Sequence, residues 1–212
     1  MALSPLSWVA LVALVAPLGT LVASQRQMCH LPPPLETVPS GGVDEPGAMT
    51  VTNGGPWGHW GDTEFCPRGS FAVGIQLKVQ QYQGFFRDDT GMNGVRLLCD
   101  TGTDTVTSSV GPFGLWQAKL FCPAGQRLVS FQLMVEPSQG MWDDTAANNA
   151  AVLCSGDTAR RRAGGLAQGS WGSWSPRCDP PCGVCGVRTR VEHQHSSDAS
   201  GLNDVKMYCC TH

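Results

Sequence analysis

The sequence predicts an all-β protein, disulfide-stabilised and built from three internal repeats. Three observations carry this reading. First, the 212 residues include 26 glycines, 15 prolines and 10 cysteines, with only 15% charged side chains, a turn-rich composition suited to short strands. Second, the apolar residues of the longest runs alternate with a period of two, and no convincing helical period follows the leader. Third, the cysteines keep register. Cys66, Cys122 and Cys178 are 56 apart, Val79, Val135 and Val191 are 56 apart, and Cys99, Cys154 and Cys209 are 55 apart. Such a fixed step is the mark of a repeat architecture.

In chain order, residues 1–24 form an uncharged apolar leader ending in small residues; the first charged side chain is Arg26. This reads as a signal peptide cleaved after Ala23 or Ser24. An uncleaved anchor is the alternative, and Pro17, Gly19 and Thr20 interrupt its apolar run. No second apolar span follows, so the mature form is expected to be free of membrane. Residues 25–50, with their run PPPLETVPSGG, read as a Pro-rich N-terminal extension. Residues 51–212 read as one domain, with repeats of about 51–109, 110–166 and 167–212, because some 50 residues alone bury too little core.

Each repeat opens on a Gly/aromatic phrase: GPWGHW with Trp57 and Trp60, GPFGLW with Phe113 and Trp116, GSWGSW with Trp171 and Trp174. In the first two, a Cys-Pro-x-Gly turn follows. A strand comes next, and its inward set is read as Phe71, Val73, Ile75, Leu77 and Val79; then Val129, Phe131, Leu133 and Val135; then Cys185, Val187, Thr189 and Val191. A polar turn leads to a second strand carrying Val95, Leu97 and Cys99; Ala150, Val152 and Cys154; or Val205, Met207 and Cys209. Side chains two apart share a face. An asparagine, Asn93, Asn148 or Asn203, stands six residues before the last of these cysteines each time.

Behind a signal peptide, an even set of ten cysteines reads as a disulfide framework. Within each repeat the expected bridges are Cys66–Cys99, Cys122–Cys154 and Cys178–Cys209. Cys185 and Cys210 are expected to pair as a fourth, with an exchange of the Cys178 and Cys185 partners open. Cys29 and Cys182 either pair or link chains. Cys178, Cys182 and Cys185 near His193 and His195 have spacing that suits a metal, and Cys182-x-x-Cys185 resembles a redox pair, but the oxidising compartment and the missing βαβ context favour disulfides. No metal and no cofactor are expected. Fourteen Lys and Arg against seventeen Asp and Glu supply no basic face, so nucleic acid is excluded as a partner. Arg160, Arg161 and Arg162 are read as a solvated loop, with a protease site or a glycosaminoglycan contact as alternatives.

The threefold phrase, the Cys-Pro-x-Gly turn, the Asp-Asp-Thr-x-x-Asn turn and the strand ending in Cys together resemble the vitelline membrane outer layer protein 1 family. The resemblance runs from about Val51 to His212 and includes the adjacent Cys209 and Cys210. It implies a β-prism, three Greek-key sheets around a shared core. It also implies an extracellular coat protein with sugar binding, and a transfer reaction on N-acetylglucosamine oligosaccharides. Amino-sugar oligosaccharides or glycoproteins of an extracellular matrix are the partners it suggests. The third turn departs from the pattern, reading Asp198, Ala199, Ser200 where the others read Asp88, Asp89, Thr90 and Asp143, Asp144, Thr145.

Candidate sugar contacts are therefore Asp88, Asp89, Asp143, Asp144 and Asp198, with Trp57 and Trp171. Their competing reading is structural, since Asp and Asn in loops bond their own backbone. Trp60, Trp116 and Trp174 are expected to fill the core, Glu136 and Glu192 to point away from it. No catalytic residue is assigned. The function expected is a secreted structural or carbohydrate-binding component of an extracellular coat or secretion. The alternatives are a weak glycosyl transferase or hydrolase on N-acetylglucosamine oligomers, and a ligand-free disulfide-crosslinked matrix protein.

Overall fold

Among the described residues, fourteen strands follow one another: β1 Ala48–Met49, β2 His59–Trp60, β3 Glu64–Phe65, β4 Ala72–Val79, β5 Met92–Cys99, β6 Thr105–Thr107 and β7 Leu115–Trp116. The second half holds β8 Leu120–Phe121, β9 Leu128–Val135, β10 Ala147–Cys154, β11 Arg161–Arg162, β12 Ser170–Trp171, β13 Gly183–Val191 and β14 Leu202–Cys210. The structure, a computed structural model, describes Cys29 and residues 47–81, 83, 90–137, 145–193 and 200–211. The leader and the carboxylates Asp88, Asp89, Asp143, Asp144 and Asp198 lie outside the described residues. There is no helix among the described residues.

The strands form three antiparallel sheets, each centred on one long hairpin. The first wall is β6-β5-β4-β7, with β8 also on β4; the second is β11-β10-β9-β12; the third is β1-β14-β13-β2, with β3 also on β13. A single apolar core lies between them. Ile75, Leu77 and Val95 from the first wall, Phe131, Leu133 and Val152 from the second, and Val187, Val205 and Met207 from the third belong to one buried cluster. This is a β-prism.

The repeats do not each build a wall of their own. The short strands that open the second repeat, β7 and β8, pair with the hairpin of the first. Likewise β12 pairs with the hairpin of the second repeat. The ring closes because β1, β2 and β3 at the start of the domain pair with β14 and β13 at its end. β1 lies within the segment read as the N-terminal extension.

The sequence reading of the inward faces needs correction at one register. Val73, Val129 and Cys185 are each an extra residue on their strand, a β-bulge between Ala72 and Gly74, Leu128 and Ser130, and Val184 and Gly186. A bulge reverses the alternation beyond it. Ala72 and Val184 therefore face the shared core, Val73 is only half-buried, and Phe71 and Cys185 join a separate cluster with Tyr208 and Cys210, whereas Val129 stays in the shared core as expected. A second bulge falls on Asn93, Asn148 and Asn203, the asparagines of the repeat.

Three of the disulfides close a repeat on itself, as expected, and in doing so join neighbouring walls. The backbone N–H of Cys66 bonds Cys185 O of the third wall, that of Cys122 bonds Val73 O of the first, and that of Cys178 bonds Val129 O of the second. Their partners Cys99, Cys154 and Cys209 sit at the ends of the first, second and third walls. Three bridges, with Cα–Cα distances of 5.8, 5.8 and 5.6 Å, thus staple all three seams. Cys185–Cys210 and Cys29–Cys182 complete five.

Replacing Cys122 and Cys154 together by serine is expected to cost about 3 to 4 kcal/mol by loop-closure entropy. Urea unfolding of the pair variant against the parent checks this as a lower midpoint.

Candidate functional site

The bridges gather at one end of the prism, and the opposite end is where β4 leads toward β5, β9 toward β10 and β13 toward β14. At that second end, the apex, each repeat holds a chain of three polar side chains. Asn93 Nδ2 donates to Thr90 Oγ1, which donates to Gln80 Oε1; Asn148 Nδ2 donates to Thr145 Oγ1, which donates to Glu136; Asn203 Nδ2 donates to Ser200 Oγ, which donates to Glu192. The three asparagines are fully buried. A bulge needs its extra side chain placed, and here each amide holds the hydroxyl that ends the turn. Thr90, Thr145 and Ser200 are therefore scaffold.

The chains differ at one position. The first repeat supplies Gln80, the other two Glu136 and Glu192, and these two carboxylates line one cleft. The cleft, about 400 Å³, lies between the second and third walls and is floored by Val135, Ala146 and Pro137. Its outer side is the loop from Asn53 to Trp57, between β1 and β2. Asn53 Nδ2 donates to Leu133 O of the second wall at 3.1 Å, and Gly55 N donates to Asn203 O of the third at 2.7 Å. The loop is thus pinned to both sides, and it presents Trp57 with 58% of its surface exposed. The described lining contains no Lys or Arg. Carboxylate and backbone acceptors beside an open indole suit a ligand that is rich in donors and has an apolar face.

Of the residues marked from sequence, Trp57 lies in this cleft and Trp171 does not. Trp171 is the equivalent of Trp60 and Trp116, which corrects the alignment that matched Trp174 to them. Each of these three rings follows a strand-pairing glycine, Gly58, Gly114 or Gly169, with φ of 77°, 75° and 97°. A Cβ there would come within 2.4 Å of the partner strand's backbone. None of these tryptophans fills the core. Trp60, Trp116, Trp171 and Trp174 are half-buried, and the first three carry cations: Lys206 and Arg188 at Trp60, Arg96 at Trp116, Arg160 and Arg162 at Trp171. The reason is position. Arg96 and Lys206 alternate with core residues, so they face outward, and an edge-strand indole laid over them is on the outer face. Glu136 and Glu192, read only as pointing away from the core, are the site residues that sequence reasoning missed. Their signal was the 56-residue step that they share with Gln80.

A family model for vitelline membrane outer layer protein I matches residues 47–212. The chain belongs to that family. It is 43% identical over 168 residues to the human vitelline membrane outer layer protein 1 homolog, covering 76% of this chain and 82% of the relative. The mouse homolog is 42% identical over the same length and shares. Among solved structures, a prostate-specific WGA16 glycoprotein lectin superposes with a TM-score of 0.51 at 12% identity, covering 77% of this chain and 98% of that one. That likeness is one of fold. The family match begins at Gly47, one residue before β1, and so takes in every strand of the closed ring.

Beside the cleft, Asp204 packs against Gly54, where burial pushes its carboxyl up to about 6 despite a bond from Val205 N and the nearby Arg190 and Lys206 charges. The second repeat has Asn149 at this place, donating to Leu166 O and accepting from Ala150 N. Between about pH 4 and pH 6 the folded chain therefore holds a proton that the unfolded chain, near 3.8, has released. Stability from neutral Asp204 is full below about pH 4 and is lost as pH rises to about 6. Asp204→Asn is expected to remove that decline and raise stability at pH 7 by about 2 to 3 kcal/mol. Urea unfolding at pH 4 and pH 7 checks it; equal gains at both pH values would contradict the assignment.

Proposed function

We propose that the protein is a secreted, carbohydrate-binding structural component of an extracellular coat or secretion, and that the apex cleft takes oligosaccharides of amino sugars. The observation that carries this is the cleft itself: an exposed Trp57 opposite Glu136 and Glu192, with no cation in the described lining. An indole covers the apolar face of a pyranose, while carboxylates accept from its hydroxyl and amide N–H groups. The lectin name of the structural neighbour and the five disulfides are consistent with this reading. On it, residues 1–24 are the signal peptide, and the domain read as residues 51–212 extends back to take in β1. Asp88, Asp89, Asp143, Asp144 and Asp198 are proposed as further contacts from the turns. Pairing of Cys29 with Cys182 uses all ten cysteines within the chain and so speaks against cross-linking as the main role.

Two carboxylates in one cleft are also the equipment of glycosyl transfer. Glu136→Gln and Glu192→Gln variants that still bind, but lose a measurable transfer of the parent, would mark that second reading.

Calorimetric titration of the oxidised mature protein with N-acetylglucosamine oligomers tests the proposal. Trp57→Ala is expected to weaken binding at least tenfold, about 1.4 kcal/mol, with an unchanged melting temperature because the ring is exposed. No binding by the parent, or equal binding by the variant, would overturn it. Asparagine at Asp143 and Asp144 reports whether the turn takes part.

A further inference from the structure

We infer that the outer face of the second wall is a separate binding surface for the sulfate groups of an acidic polysaccharide, held by Arg160 and Arg162. Each wall lays a cation over a tryptophan, but the walls do it differently. On the first wall one residue suffices: Arg96 lies 3.9 Å from the centre of the Trp116 ring, is half-buried, and donates to Gln76 Oε1 at 3.3 Å. On the second wall the equivalent of Arg96 and Lys206 is Ala151, which lies opposite Arg162 in the β10–β11 pairing. Two arginines of the edge replace it. Arg160 and Arg162 reach to 5.0 and 5.6 Å from the centre of the Trp171 ring, across the wall from their own strand.

Both arginines are exposed, and neither side chain has an ion-pair or hydrogen-bond partner among the described residues. The middle arginine is the one neutralised. Arg161 bonds Asp157, and that bond holds the Asp157 carboxyl below its usual range. So Arg161 ties down the strand, and its two neighbours, which share a side, project together. One cation is enough to cover an indole, as Arg96 shows; the second adds charge rather than packing. Held on one ring, the two guanidiniums have already lost rotamer freedom, and each is a planar fork that matches an oxyanion bidentately. The surface is opposite in character to the apex cleft, whose described lining carries two carboxylates and no cation. A chain of net charge −3 thus holds two exposed guanidiniums side by side on this face. A polyanion with repeated oxyanions is the ligand that fits. We assign sulfated polysaccharide because it belongs to the extracellular setting proposed above; the surface itself does not depend on the cleft binding sugar.

The test uses the oxidised mature protein with size-defined heparin fragments, de-sulfated fragments, and vesicles rich in phosphatidylserine. Heparin is expected to bind with an affinity that falls as salt rises, as counterion release requires. The de-sulfated chain should bind at least tenfold more weakly. The double variant Arg160→Ser with Arg162→Ser should lose at least tenfold in heparin affinity and show a shallower salt dependence. Its melting temperature and its titration with N-acetylglucosamine oligomers should stay as in the parent. Arg160→Lys with Arg162→Lys, which keeps charge but not the fork, should fall between. Equal heparin binding by the serine variant, equal binding of the de-sulfated chain, or binding to vesicles without binding to heparin would each overturn the inference.

Discussion

The architecture depends on strand exchange between successive repeats. A hairpin of two eight- or nine-residue strands cannot by itself form a closed wall, since both of its edges offer unpaired backbone groups. Each hairpin here is completed by the opening strands of the next repeat. The third hairpin has no following repeat, and the start of the domain supplies β1, β2 and β3 instead. No repeat can then be removed without leaving edges unpaired on two walls. The prism is one cooperative object because its walls are shared.

This closure has a polarity. At one end the chain enters and leaves the long strands, and bridges Cys66–Cys99, Cys122–Cys154 and Cys178–Cys209 lock the three seams. At the other end the locks are hydrogen-bonded side chains at bulges, and they leave space between them. The closing segment from Asn53 to Trp57 passes through that end and is bonded to both adjacent walls. Trp57 stands in the cleft because the ring closes there. The break in threefold symmetry, Gln80 against Glu136 and Glu192, gives the cleft a charge that a symmetric scaffold would not require.

Much of the fold was legible in sequence because spacing and alternation are both one-dimensional signals. The 55- and 56-residue steps revealed the repeats, and the period-two runs revealed the long strands. Val73 and Cys185 escaped because a bulge inserts one residue without disturbing apolar character, so the sequence reads smoothly through a reversal of faces. Trp171 was misaligned because GSWGSW contains two Gly-Ser-Trp steps, and only the glycine that presses on the Val135 carbonyl tells them apart. Which hairpin β2 or β7 joins is a tertiary matter with no local signature. The site was half legible: Trp57 stood out as an aromatic in a glycine frame, whereas Glu136 and Glu192 looked like ordinary residues after a strand.

Native-state hydrogen exchange of the oxidised protein tests the closure most directly. If the opening strands belong to the last hairpin, the amides of Gly61 and Cys66, which bond Thr189 O and Cys185 O of β13, will open with the same free energy as the amides that join β13 to β14, and in the same transition under added denaturant. Opening of these two amides with β4 and β5, while β13 and β14 remain protected, would contradict the shared-wall account.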